Sequence, residues 1–469
     1  MSSLDKFFAP KSIAVVGASR TPGKLGFTIL ENLKNSFKGL IYPINPNAEK
    51  ILDLTCYPTL SDVKEPIDQA VIVVPVEMVK NVVEEGIRNK ITAFTIITSG
   101  FSEIGEKERE LELKNLCKNK KIRIIGPNCV GLYKKDLDML FFPKKRLKRP
   151  NDGSISFISQ SGAFGSVLLD VASNDGVGIS KFASIGNKVD VDEIELISYL
   201  EKDLSTRCIA VYMEAVTDGS EFIKVAKNTT KVKPIVVFKA GKTAKGSEAV
   251  ASHTGSMAGS AQVYSSAFKQ SGVIEAKTSD ELFDFSKALA EQPVLKSKRI
   301  AIVTDGGGFG IVAADSAIEC GLELPALSNE LAKSLKAFLP PYATVRNPID
   351  ITGDATVERY QKTLEAVLKD KNIDGVVCVA LMQLPTLDDG IVDVLKDCKM
   401  HGKPLTVCSA GSEFVLERNR KLESYGIPVY PTPERAVKAM AALYEYGTIC
   451  QSEMAKPVFP KTVVKKKKK

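Results

Sequence analysis

The stretch Ser12-Ile-Ala-Val-Val-Gly-Ala-Ser-Arg-Thr-Pro-Gly-Lys-Leu-Gly26 decides how the chain folds. Ser12 to Val16 is a short apolar run of the kind that a parallel sheet buries on both faces. It breaks at Gly17 into a glycine-marked turn and resumes as an amphipathic helical pattern from Gly26 to Asn35. The alternation recurs: apolar runs at Gly39 to Ile44, Gln69 to Val74, Ala93 to Thr98 and Ile122 to Ile125 enclose helical patterns at Glu77 to Asn89 and Glu106 to Lys120. Strand and helix alternating in this way predict an α/β, doubly wound, Rossmann-like domain.

The turn after the first strand suits a phosphate, because glycines and a helix start expose backbone amides. It lacks the Gly-x-Gly-x-x-Gly spacing, and the second strand ends in Tyr42-Pro-Ile-Asn-Pro-Asn47, with no carboxylate to hold an adenosine ribose. Those departures point away from NAD and toward another phosphate-bearing nucleotide. The turn Thr98-Ser-Gly-Phe-Ser-Glu103 falls at the strand ends where open α/β sheets bind ligands. Gly126-Pro-Asn-Cys-Val-Gly131 reads either as a plain Gly-Pro loop or as an amide-lined cradle.

A chain of 469 residues exceeds one ordinary core and predicts roughly three domains. A basic, proline-bounded linker near 142–152 leads into strand Ser154 to Ser159 and the turn Gln160-Ser-Gly-Ala-Phe-Gly165, which opens a helix. That turn is either a helix cap or an anion site. Strand Cys208 to Met213 ends in Glu214, placed for a site or for solvent. Ala240-Gly-Lys-Thr-Ala-Lys-Gly246 contains Gly-Lys-Thr, but Val236 stands where a P-loop requires its first glycine, which excludes a P-loop NTPase. After a linker at Pro293 to Lys298, strand Arg299 to Thr304 and Asp305-Gly-Gly-Gly-Phe-Gly310 repeat the strand, glycine turn and helix of the second domain. Strands Gly375 to Leu381, Pro404 to Ser409 and Val429 to Tyr430 complete a flavodoxin-like unit. The predicted domains are 1–142, 150–292 and 298–455, with a basic tail at 456–469.

A composition of 44% hydrophobic and 26% charged residues is that of a soluble globular protein. There is no run of about 18 apolar residues to span a bilayer, and Met-Ser-Ser-Leu-Asp-Lys-Phe-Phe8 has no secretory core, so a cytoplasmic location is expected. The nine cysteines include no Cys-x-x-Cys pair and read as small buried residues, with no metal expected in the chain. The +8 charge comes partly from two local runs, Lys144 to Arg149 and Lys465 to Lys469. Without tryptophan or aromatic-basic interleaving, nucleic acid is not an expected partner, whereas small polyanions are compatible with that charge.

Chemistry centres on Ser247-Glu-Ala-Val-Ala-Ser-His-Thr-Gly-Ser-Met-Ala-Gly259, which carries His253, one of two histidines. A lone histidine is often only a hydrogen-bonding residue, but small neighbours leave this imidazole open to act as a nucleophile or proton carrier. His401, in Asp397-Cys-Lys-Met-His-Gly-Lys-Pro404, reads as a helix C-terminal cap.

Taken together, Gly126-Pro-Asn-Cys-x-Gly, Ser159-Gln-Ser-Gly, Ser252-His-Thr-Gly-Ser and Thr304-Asp-Gly-Gly-Gly resemble the NDP-forming acyl-CoA synthetase superfamily. Within it they are most similar to archaeal ADP-forming acetyl-CoA synthetase α subunits, relatives of succinyl-CoA synthetase. The resemblance runs from Ile13 to Lys438. It implies a CoA-binding domain followed by two flavodoxin-like ligase domains. It also implies an ATP-grasp β subunit that supplies ADP or ATP and Mg, in an α2β2 heterotetramer.

By that resemblance Gly17, Ala18, Ser19, Lys24, Ser99, Gly100 and Phe101 grip CoA. His253 is phosphorylated, Glu214 stabilises it, and Asn128, Ser161, Gly162, Gly307 and Gly308 surround the phosphate. The implied reaction is acyl-CoA + ADP + phosphate giving acid + ATP + CoA, reversibly. Such steps need a cradle for negative charge more than an acid or base, which helix starts and backbone amides provide. Because ADP belongs on another subunit, Gly241 to Gly259 is expected to act as a mobile carrier. Two rival readings are a non-catalytic CoA- or acyl-CoA-binding regulator and a nicotinamide-dependent dehydrogenase, the latter opposed by the incomplete dinucleotide fingerprint.

Overall fold

The computed structural model describes residues 3–254 and 260–452, with the side chains of 251–254 and 452 left out. Three sheets follow one another, each built on five parallel strands that take the same order. In the first, β1 (Ser12–Val16), α1 (Leu25–Ser36), β2 (Leu40–Ile44), β3 (Gln69–Ile72), α2 (Val76–Arg88), β4 (Ala93–Ile96), α3 (Lys107–Lys120) and β5 (Arg123–Ile125) form a sheet ordered β2-β1-β3-β4-β5. β1 is buried along its whole length, as its unbroken apolar run requires.

The chain then forms a hairpin, β6 (Leu132–Lys134) and β7 (Leu137–Asp138), before β8 (Ile155–Ser159), α4 (Gly162–Asp175), β9 (Ile179–Ser184), α5 (Glu193–Glu201), β10 (Cys208–Met213), α6 (Gly219–Thr229) and β11 (Ile235–Lys239). Helices α7 (Ala244–Thr254) and α8 (Ala261–Ser271), strand β12 (Ile274–Ala276) and helix α9 (Ser279–Glu291) complete the second unit. Its sheet is ordered β12-β11-β10-β8-β9-β6-β7. The hairpin therefore belongs to the second sheet, pairing antiparallel with β9 through Phe182 to Tyr133 and Ala183 to Leu132. This corrects the expected boundary at 142.

The linker after the hairpin is also tied down. Arg149 donates through Nε to Asp138 at 2.8 Å, and both side chains are nearly enclosed. Part of this basic run is thus an internal ion pair. Strand β9 went unseen because Ser180, Lys181 and Ser184 break its apolar run, yet all are buried. Lys181 is buried against Asp203 at 2.6 Å.

The third unit contains β13 (Ile300–Thr304), α10 (Gly307–Glu319), β14 (Ile349–Asp350), β15 (Gly375–Val379), β16 (Leu405–Cys408), α11 (Glu413–Ser424), β17 (Val429–Tyr430) and the long α12 (Pro433–Ser452). Its order is β14-β13-β15-β16-β17. Each sheet therefore reverses direction beside its first strand, and the crevice at the carboxyl ends there is where such sheets bind ligands. α12 lies between α9 of the second unit and α10 of its own. Buried polar groups fasten this seam: Arg435 grips Asp284 with two nitrogens, and Lys287 meets Glu423 at 2.8 Å. Among the described residues no helix is long and apolar enough to cross a membrane.

Candidate active site

In the first sheet the chain leaves β1 at Gly17 with φ +91°, and a Cβ there would sit 2.6 Å from the Val73 carbonyl oxygen. Gly26 lies so close beneath the turn that its Cβ would fall 2.1 Å from the Gly17 oxygen. Glycine at both positions lets α1 start against the sheet edge. No side chain caps that helix and its first turn holds no acid, so its amides and the exposed Lys24 suit a diphosphate. Ser19 Oγ accepts the Thr21 amide at 3.1 Å, and Ala18 is enclosed, its carbonyl accepting from Asn45 at 2.7 Å. These two shape the turn.

The turn after β4 is organised by a residue that the sequence did not single out. Glu103 accepts the amides of Gly100 and Phe101, and its second oxygen accepts from Asn187 Nδ2 at 2.7 Å. Burial raises the pKa of Glu103, but the donors of Asn187, Gly100 and Phe101 outweigh it and hold the carboxyl below its ordinary value. Phe101 itself is 2% exposed and its ring belongs to the first core. Of the residues expected to grip CoA here, Gly100 and Phe101 have their amides engaged by Glu103, and Ser99 is the member of the trio that lines the cleft.

That cleft, about 630 Å³, runs between the first and second units. Val73, Ile97 and Ser99 wall one side, and Asn128, Ser161 and Gly162 the other. Asn128 adopts a left-handed conformation, φ +58°, and donates to Asn187 Oδ1 at 3.2 Å. Ser161 caps α4 by accepting the Phe164 amide at 3.3 Å, and the first turn of α4 has no acid. A Cβ on Gly162 would meet Val130 Cγ1 at 2.4 Å, so only glycine lets this helix end approach so closely. Ser99 of the expected CoA turn and part of the expected phosphate cradle thus line one space. Gly307 and Gly308 are not brought to it: they open α10 in the third unit, and Asp350 Oδ2 lies 2.9 Å from where a Gly307 Cβ would stand.

Behind the cradle, Gln160 joins the two strands of the second crevice. Its Oε1 accepts the amides of Glu214 at 2.6 Å and Ala215 at 3.0 Å, and its Nε2 donates to the Ala215 carbonyl at 2.7 Å. Glu214 is 5% exposed, which answers the open question of whether it faces solvent. The third unit repeats the device: Asp305, after β13, accepts the Leu381 amide after β15 at 2.9 Å. Burial pushes Asp305 up to about 6. The signal in sequence was there for both, as the residue directly following the first strand of each unit.

Helix α7 carries His253 in its last turn, and it packs against the short turn Ser102–Ile104 of the first unit. The imidazole and residues 255–259 lie outside the described residues. The expected mobile carrier Gly241 to Gly259 is helical over 244–254. His401 ends a short helical turn before Gly402, which has φ +66°.

Three family descriptions match along the chain: a CoA binding domain at 11–135, a succinyl-CoA ligase like flavodoxin domain at 152–289 and a Ligase-CoA domain at 300–452. Over 456 residues the chain is 40% identical to the α subunit of acetate–CoA ligase (ADP-forming) II of Pyrococcus furiosus, covering 94% of this chain and 97% of that one. The chain belongs to the ADP-forming acyl-CoA synthetase family. It is also 41% identical to acetate–CoA ligase (ADP-forming) I of Archaeoglobus fulgidus, covering 97% of this chain and 65% of that relative's length. The structure of a Korarchaeum cryptofilum dinucleotide-forming acetyl-coenzyme A synthetase, solved with phosphate and ADP, matches with a TM-score of 0.89 and 39% identity, over 97% of this chain and 99% of that chain. A Pyrococcus horikoshii structure matches at 0.86 and 36%, over 95% of this chain and 99% of that chain. Membership of the ADP-forming synthetase family thus accounts for all three sheets at once.

Proposed function

We propose that this chain is the α component of an ADP-forming acyl-CoA synthetase, catalysing acyl-CoA + ADP + phosphate to acid + ATP + CoA in both directions. The observation that supports it best is the single cleft joining Ser99 to Asn128, Ser161 and Gly162, with the His253-bearing helix against the neighbouring turn. CoA lies with its phosphates at the start of α1, near Gly17, Ser19 and Lys24, and its thioester reaches the cleft. Phosphate held at the start of α4 attacks the thioester carbon: a C–O bond forms, the C–S bond breaks, and CoA leaves as thiolate. His253 then attacks phosphorus of the acyl phosphate, forming P–N and releasing carboxylate. ADP takes the phosphoryl group from the phosphohistidine and leaves the imidazole free.

Each species along this path is an anion, and a helix start with aligned amides and no acid in its first turn favours it by about 0.3–1 kcal/mol, more where partly buried. Glu214 accepts a hydrogen bond from one imidazole nitrogen and so fixes which nitrogen attacks. ADP and Mg come from an ATP-grasp partner in an α2β2 assembly. The subunit name of the Pyrococcus relative and the added length of the Archaeoglobus chain support that division. The reaction is placed in the cytoplasm, where CoA and nucleotides are held.

Incubation of the chain with acetyl-CoA and radiolabelled phosphate tests this reading. Acid-labile, base-stable label that vanishes in His253→Ala is the expected result. Failure of wild type to take label would instead favour a CoA-binding regulator.

A further inference from the structure

Lys239 ends β11 at the sheet edge that also carries Glu214, and it is 1% exposed. Its ammonium donates to the Ala240 carbonyl at 2.5 Å and stands 4.5 Å from the centre of the Tyr264 ring. Among the described residues it is met by a carbonyl and a ring face, not by a paired carboxylate. A cation stripped of water without a full counter-charge is costly, and such groups gather at functional sites.

The surroundings are specific. Tyr264 lies on α8, just after the His253 segment, and its hydroxyl accepts the Val216 amide at 3.1 Å. One tyrosine therefore ties the loop after Glu214 to the chain that returns from His253, and Lys239 sits under that tie. The other charges facing the group are Glu214 from β10, Lys242 from its own loop, and Glu193 acting on Tyr264 from α5. Lys242 is already engaged by Glu275 of β12 at 2.8 Å. Burial brings Lys239 down to about 8, with Glu214 opposing that drop and Lys242 adding to it.

We propose that Lys239 is a positioning residue whose buried charge offsets the negative charge arriving beside Glu214 when the phosphohistidine forms. This rests on the reading of His253 as the phosphoryl acceptor. Before transfer, Glu214 and Lys239 sum to zero. A phosphorylated side chain adds a charge of about −1.5 to −2, so the local balance turns strongly negative and the buried ammonium offsets part of it. The transfer itself breaks the P–O bond of the acyl phosphate, forms P–N at His253 and releases carboxylate. Lys239 exchanges no heavy atom and only holds its proton more tightly.

The sign follows. The phosphoryl group raises the affinity of Lys239 for its proton, so the help it gives is complete below about 8 and fades as pH climbs from there through the raised value.

The test uses the full chain, acetyl-CoA and radiolabelled phosphate, with phosphoprotein at equilibrium read from about pH 7 to about pH 9.5. Wild type, Lys239→Arg and Lys239→Met are compared at each pH, so that ionisation of the released CoA thiol cancels in the ratios. Lys239→Arg keeps the charge at every pH. The ratio of wild type to this variant is expected to stay level up to about pH 8 and then fall severalfold. Lys239→Met is expected to hold about tenfold less phosphohistidine at neutral pH, with that gap closing as pH rises. CoA binding at the first domain, measured alongside, stays unchanged in both.

Label in wild type with the same pH course in Lys239→Arg overturns the inference alone, and this arm stands if Lys239→Met does not fold. Absence of label from wild type overturns the His253 reading and this inference with it.

Discussion

Glu103 shows how much one side chain can carry. A carboxylate in contact with the amides of Gly100 and Phe101 and with Asn187 fixes the turn beside the cleft and also joins it to the second unit. Glu103→Gln preserves the shape but weakens three charge-assisted hydrogen bonds. A loss of about 1.5 kcal/mol, roughly tenfold in Kd for CoA, is expected by calorimetric titration. Equal affinity in both proteins would assign the turn another support. The folded pKa of Glu103 is depressed, so its contribution to stability is complete above the ordinary glutamate value and is lost as pH falls through the lower folded one. The difference in thermal midpoint between wild type and variant should therefore close on acidification. Sequence reading found the turn but missed this residue, because an exposed-looking Ser-Glu pair gives no sign that its carboxylate folds back on the preceding amides. Asn187 was missed similarly: its value lies in whom it touches across 84 positions.

At the scale of elements, regular burial was legible and irregular burial was not. β1, β3, β4, β8, β10, β11, β13, β15 and β16 announce themselves as apolar runs. β9 carries Lys181 inside a fully buried strand, and Asp203 and Ser205, absent from any local pattern, make that tolerable. α12 behaves likewise. Its packing against α9 and α10 is served by Arg435 on Asp284, next to Lys287 on Glu423. Lys287 and Glu423 are each 4% exposed, and the ammonium also stands 4.4 Å over the Tyr430 ring. Glu423→Gln leaves that ammonium without its counter-charge, and a loss of about 3–5 kcal/mol is expected by denaturant unfolding. A loss below about 1 kcal/mol would mean that the carbonyl of Val429 and the ring suffice.

Over the whole molecule, domain count was readable from length and repeated strand-glycine-helix units, but independence was not. One apolar cluster runs from Phe7 and Val15 through Leu132 to Ile209, across the first two units. Another runs from Phe157 through Ala288 to Met440, across the second and third. With cores fused in this way, calorimetry is expected to give one unfolding transition, and separate peaks for the three units would show that the seams part first. Gly307 and Gly308 illustrate the limit of reading by motif. Their turn repeats that of Ser161 and Gly162 in sequence, yet Asp350 stands beside it where the second unit presents an open cradle.

The excursion of Leu132 to Asp138 into its neighbour's sheet bears on how this protein can be divided. Severing the backbone just behind it, after Asp138, would strip Phe182 and Ala183 of their edge partners and leave a raw, sticky margin of unpaired amides and carbonyls. A gene fragment meant to yield the CoA-binding half alone would carry away the strip that seals the other half. Any workable dissection, by an experimenter or by a recombining genome, has to leave those seven residues with the part that follows them.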